Sequence, residues 1–88
     1  MTKPYLEVTY RQGKPFAAYV YLPRAAEDKV ARTERRGSML IDFAADGRAL
    51  GIELTAPAEV RLEEINALLA SMHQPALAAD DLIPLVAA

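Results

Sequence analysis

The sequence predicts an α+β domain: an antiparallel β-sheet of about five strands (β-β-β-β-β-α) with one amphipathic helix on one face and a short C-terminal helical turn. Three observations carry this. Residues 5–22 hold two alternating runs separated by a Gly/Pro turn. Asp46-Gly47 lies between two apolar runs. From Leu62 onward the apolar spacing switches from strand-like to helical.

Tyr5-Leu6-Glu7-Val8-Thr9-Tyr10 alternates and is rich in β-formers, so it reads as the first strand. Arg11 to Pro15 is a turn, because Gly13 can take positive φ and Pro15 cannot donate to a ladder. Phe16 to Leu22 is the second strand. A loop with an odd number of residues pairs Tyr10 with Phe16, Val8 with Ala18 and Leu6 with Val20, which gathers the apolar partners on one face. A two-residue Gln12-Gly13 turn would pair Thr9 with Phe16 and flip the faces, so the first register is expected. Pro23 ends the strand, and Arg24 to Asp28 is a polar loop or helical turn. Lys29 to Arg35 alternates weakly and reads as a third strand, closed by Arg36-Gly37-Ser38.

Met39 to Phe43 and Leu50 to Leu54 form the best-specified hairpin. Asp-Gly between apolar runs signals a turn in which both central residues take positive φ. With Asp46-Gly47 at the tip, Phe43 faces Leu50, Ile41 faces Ile52 and Met39 faces Leu54. The other face carries Leu40, Asp42, Gly51 and Glu53, with Asp42 opposite Gly51. Leu62, Ile65, Leu68, Leu69 and Met72 then make a helical stripe, with Glu63 and Glu64 in the first turn where the helix dipole favours anions. The helix starts at Leu62, or at Ala56 with Thr55 as its cap, and ends at His73-Gln74-Pro75. Ala79 to Ile83 reads as a helical turn stopped by Pro84, with Leu82, Ile83 and Leu85 packed on the domain.

The 88 residues make one domain, 1–88, with 52% hydrophobic and 25% charged residues, ordinary usage for a globular chain. Cysteine is absent, which excludes disulfides, zinc-thiolate sites and thiol nucleophiles. With no apolar signal core near Met1, this points to the cytoplasm. No stretch has the length of a membrane span. The net charge of −2 is uneven: residues 1–48 hold nine basic and six acidic residues, and residues 49–88 hold one and six. All six aromatic residues fall in the first half.

The central stretch contains Ala18-Tyr19-Val20-Tyr21-Leu22, then Val30-Ala31-Arg32-Thr33-Glu34, then Asp42, Asp46-Gly47 and Gly51-Ile52-Glu53. In this order the motifs resemble those of the bacterial domain of unknown function family 2283, over roughly residues 17–60. Ala44 stands where that family's hairpin often has an aspartate, and Arg11 to Pro15 where it often has an aspartate-containing turn. The resemblance implies a small, β-rich bacterial domain. It implies no activity and carries over no functional residues.

No catalytic constellation is visible, and no enzyme activity, cofactor or metal is expected. Asp42, Asp46, Gly47 and Glu53 have the spacing of positions 1, 5, 6 and 12 of an EF-hand loop, but Ala44 and Leu50 occupy two ligand positions and the flanks alternate like strands. These residues therefore read as a hairpin motif, together with Gly51. His73 is the only histidine and is expected to serve the helix C-terminus. Lys29, Arg32, Arg35 and Arg36 near Tyr19 and Tyr21 suggest an anion- or partner-binding surface. Basic groups beside stacking aromatics suit single-stranded nucleic acid, but Glu34 interrupts the run and the pI of about 5.3 is far from that of a typical nucleic-acid domain. One helix covers one sheet face, while Tyr19, Tyr21 and Leu40 lie on the other. A homodimer through a sheet face or edge is expected, and the leading reading is a protein-interaction or regulatory module. The alternative is a nucleic-acid or anion-binding module using a basic, tyrosine-bearing sheet face.

Overall fold

The first hairpin reconciles two conflicting demands. Strand β1 (Tyr5–Arg11) pairs with β2 (Lys14–Tyr21), and Leu6 meets Val20 and Val8 meets Ala18 as the apolar pattern requires. The turn is nevertheless the two-residue Gln12-Gly13 type, both residues having positive φ (55° and 78°). A bulge absorbs the mismatch: Tyr10 pairs with Pro15, Thr9 with Ala17, and Phe16 is the extra residue. The expected Tyr10–Phe16 pairing is therefore corrected. Phe16 is 52% exposed, with the Arg11 guanidinium 4.3 Å above its ring.

The computed structural model describes residues 4–82, and within them β1 and β2 join β3 (Arg32–Arg36), β4 (Met39–Phe43) and β5 (Ala49–Leu54) in one antiparallel sheet of order β1-β2-β5-β4-β3. Strand β3 spans Arg32–Arg36, shorter than the run expected from Lys29. Residues 29–31 belong instead to the connection that carries the chain from β2 to the far edge of the sheet. Gly37 (φ 62°) then turns it into β4 (Met39–Phe43).

Strand β5 (Ala49–Leu54) meets β4 with Met39 opposite Leu54, Ile41 opposite Ile52 and Asp42 opposite Gly51, all as expected. The tip differs. The Gly47 N–H donates to the Ala44 carbonyl (3.0 Å) and the Ala44 N–H to that of Arg48 (2.9 Å). Gly47 has φ 93°, while Asp46 does not take positive φ. This is a three-residue loop with the glycine as its left-handed residue. The longer loop is accommodated by a second bulge, so Phe43 pairs with Ala49 and not with Leu50. Leu50 is fully buried, and its carbonyl accepts from the Leu22 N–H at 3.1 Å.

Pro57–Glu59 form a separate single 3₁₀ turn, Val60 is extended, and helix α1 spans Leu62–Ser71. The longer helix from Ala56 is thus corrected, because Thr55 ties β5 to the preceding turn, its hydroxyl and N–H both donating to the Ser38 carbonyl (2.7 and 3.2 Å). At the start of α1, Glu64 reaches back to accept the Arg61 N–H at 3.3 Å. At its end His73 has φ 58°, its N–H bonding Ala70 O at 3.1 Å and the Gln74 N–H bonding Leu69 O at 2.9 Å. That is a Schellman stop with histidine in the position glycine usually fills.

Ile65 and Leu69 of α1 are fully buried against Val20, Ile52 and Leu54 of the sheet. Asn66 anchors the following segment: its amide donates to the Leu77 carbonyl (3.0 Å) and its carbonyl accepts the Leu77 N–H (2.8 Å), seating Leu77 in the core. The expected C-terminal turn is a 3₁₀ turn at Ala79–Leu82. Ile83 and Leu85 lie outside the described residues.

Candidate functional site

The helix occupies one side of the sheet, and the register fixes what the other side presents. Cross-strand neighbours share a face, so two complete rows cross all five strands in sheet order. One is Tyr5, Tyr21, Gly51, Asp42, Thr33; the next is Glu7, Tyr19, Glu53, Leu40, Arg35. Among the described residues nothing covers this side. Tyr5 is 48% exposed, Glu7, Glu53, Thr33 and Arg35 are exposed, and Tyr19, Tyr21, Leu40 and Asp42 are half-buried.

The tyrosines form a connected group. Tyr5 and Tyr21 stack with centroids 4.8 Å apart and planes 14° apart, and Tyr19 meets Tyr21 at 4.7 Å and 59°. The Tyr21 hydroxyl donates to Glu7 (3.2 Å) and the Tyr19 hydroxyl to Asp42 (2.7 Å). Thr33 donates to the other oxygen of Asp42 (2.6 Å). The Arg24 guanidinium stands 5.6 Å from the Tyr21 ring centroid. Burial, followed by the hydrogen bond to Asp42, raises the Tyr19 phenol well above its ordinary value. Burial and then Glu7 raise Tyr21. Both shifts favour the neutral phenol, the form that donates.

Gly51 permits this arrangement. Tyr19 on β2 must cross β5 to reach Asp42 on β4, and its ring lies over Gly51, where a β-carbon would collide with the Tyr19 ring and hydroxyl.

Lys29, Arg32, Arg35 and Arg36 are not gathered beside the tyrosines; the guanidinium against Tyr21 is that of Arg24, which sequence reasoning missed. Arg32 and Arg36 pair with Phe43 and Met39, which places them on the helix side, where both bind Glu34 (2.9 and 3.4 Å). Arg32 also stacks 4.2 Å above Phe43. These bonds, that of Arg32 first, hold the Glu34 carboxyl below its ordinary value. Of these four, Arg35 alone shares the tyrosine face, and it donates to Gly37 O at 3.1 Å. Lys29 lies beside a shallow cleft of about 310 Å³ that is also lined by Glu27, Asp28, Asp46 and Arg48.

In that cleft Arg48 joins the hairpin tip to the β2–β3 connection. It grips Asp28 with two bonds (2.6 and 3.1 Å) and Asp46 with one (2.7 Å). Its side-chain bond leads the downward shift of the Asp28 carboxyl, and its backbone N–H leads that of Asp46. The hairpin-motif carboxylates are thus not brought together: Asp42 serves Tyr19 and Thr33, Asp46 serves Arg48, and Glu53 stands exposed. Among the described residues no group of three or more His, Asp or Glu is placed to hold a metal ion, and no helix is long and apolar enough to cross a membrane.

Sequence reasoning found Tyr19 and Tyr21 but missed Tyr5, Glu7 and Thr33 as their neighbours. The alternation of β1 was the available signal, since it sets Tyr5 and Glu7 on the same side as Tyr21 and Tyr19 once the register is fixed. No family model, no curated protein and no solved structure matches this chain.

Proposed function

We propose that this chain is a small, non-catalytic protein-interaction domain of the cytoplasm whose contact surface is the sheet face opposite α1. The observation that carries this reading is the uncovered group of Tyr5, Tyr19 and Tyr21, flanked by Leu40. An antiparallel sheet with one wet face ordinarily shows polar side chains there. Tyrosine combines an apolar ring with a polar tip and is enriched where proteins meet. Two of these phenols are already tethered to carboxylates, so docking costs little side-chain entropy. The lack of cysteine suits a reducing compartment. A nucleic-acid reading is less favoured by this face, because Arg24 and Arg35 are offset there by Glu7, Asp42 and Glu53, and Lys29, Arg32 and Arg36 lie elsewhere.

Hydroxyl-radical footprinting tests the reading. The chain is oxidised in an extract of the cells that make it and, separately, as dilute purified protein. Tyr5, Tyr19 and Tyr21 are expected to be protected in the extract while exposed Phe16 is not. Equal oxidation in both samples would overturn the assignment.

A further inference from the structure

The two rows on the open face read almost as their own complement. From β1 to β3 the second row runs Glu7, Tyr19, Glu53, Leu40, Arg35. It is acidic at one edge, basic at the other, and holds an apolar or aromatic residue on each side of the centre. Among the described residues, neither Glu7 nor Arg35 has an ion-pair partner.

Two copies can face each other through a two-fold axis lying in the plane of the sheets. If the axis runs along β5, it carries β1 over the partner's β3, β2 over its β4, and β5 over itself. Glu7 then meets the second copy's Arg35, and the Tyr19 rings, which lie across Gly51 of the axis strand, meet each other. If the axis runs across the strands, each strand lies over itself, and Arg35 meets only Thr33 and Arg35 of a second β3. The charge order of the row therefore selects the first operator. An aligned sandwich with its sheets roughly 10 Å apart suits side chains of this size.

Resting on the reading of this face as a contact surface, we propose that its occupant is a second copy of the chain, docked face to face about a two-fold axis along β5. Two Glu7–Arg35 pairs close the rims, and the two Tyr19 rings pack on each other between them. One element opposes the assembly. Glu53 lies at the middle of its row, so the two Glu53 carboxylates approach each other at the axis. Removing that charge strengthens the dimer.

Sedimentation equilibrium of the full chain, from micromolar to millimolar concentration, tests this, with circular dichroism to verify that each variant folds. A monomer–dimer equilibrium is expected. Glu7→Arg and Arg35→Glu each turn two attractive pairs into repulsive ones and weaken the dimer by about tenfold. The double variant, which restores opposite charges, returns to within about threefold of the original. Glu53→Gln tightens the dimer. A monomer at millimolar concentration would overturn the second copy, and if Tyr5, Tyr19 and Tyr21 are still protected in the extract, the contact-surface reading survives with another partner. A dimer indifferent to both swaps would place the contact elsewhere and also overturn the proposal.

Discussion

The Tyr19 ring lies over the α-carbon of Gly51, and its hydroxyl bonds Asp42 on the strand beyond at 2.7 Å. One missing side chain thus lets a tyrosine from β2 span β5 and join β4, so that hydrogen bonds and stacking rings link the open face from Tyr5 to Thr33. Aromatic cover of a sheet glycine also replaces packing that the glycine cannot supply.

The Tyr19–Asp42 bond has a pH signature. The folded phenol titrates above its ordinary value of 10.0, so its contribution is fully present below about pH 10 and is lost as pH rises through the higher folded value. Urea unfolding on the alkaline side is expected to show stability falling with pH, and Tyr19→Phe is expected to flatten that fall. At neutral pH the same substitution costs about 1 kcal/mol, because Thr33 still serves Asp42. Identical alkaline slopes for the two proteins would refute this reading.

On the acid side the relevant groups are Asp28 and Asp46. Both carboxyls titrate below the ordinary value of 3.8 in the folded state. Their contribution is present above that value and disappears as pH falls through the lower folded values. Arg48→Met removes the cation, so the stability of the variant is expected to depend less steeply on pH below about 4 than that of the parent. Parallel acid limbs would count against the Arg48 bridge between the hairpin tip and the β2–β3 connection.

His73 holds a left-handed conformation that disfavours a β-carbon. His73→Gly relieves this at the helix stop, and the net gain is about 0.5–1 kcal/mol once the greater freedom of glycine in the unfolded chain is counted. The expected observation is a higher urea midpoint with an unchanged slope. A lower midpoint would mean that the imidazole does more than its backbone shows.

The parts of this fold that were legible in the sequence are those set by local pattern. The alternation in residues 39–43 and 50–54 placed Asp42 opposite Gly51, and the stripe from Leu62 to Met72 placed α1 on one face. The bulges were not legible. An odd loop and a two-residue turn followed by a bulge give the same Val8–Ala18 pairing, so apolar pattern alone cannot separate them. The candidate face was half legible. Tyr19 and Tyr21 stood out, but their link to Asp42 depends on β2 pairing with β5 across some thirty residues of chain, a contact with no local signal. The split of Arg32 and Arg36 from Arg35 follows from strand parity once β3 is paired in register. The weakly alternating run from Lys29 did not give that register.

A double-mutant cycle on Tyr19 and Gly51 probes the organisation of the open face. Alanine in a strand is ordinarily better than glycine, yet Gly51→Ala drives a methyl group into the Tyr19 ring and is expected to cost about 2 kcal/mol. With Tyr19→Ala already present, Gly51→Ala should be neutral or stabilising, a coupling of about 2 kcal/mol. Additivity within about 0.5 kcal/mol would mean that Tyr19 does not lie across Gly51, and the account of this face would fail with it.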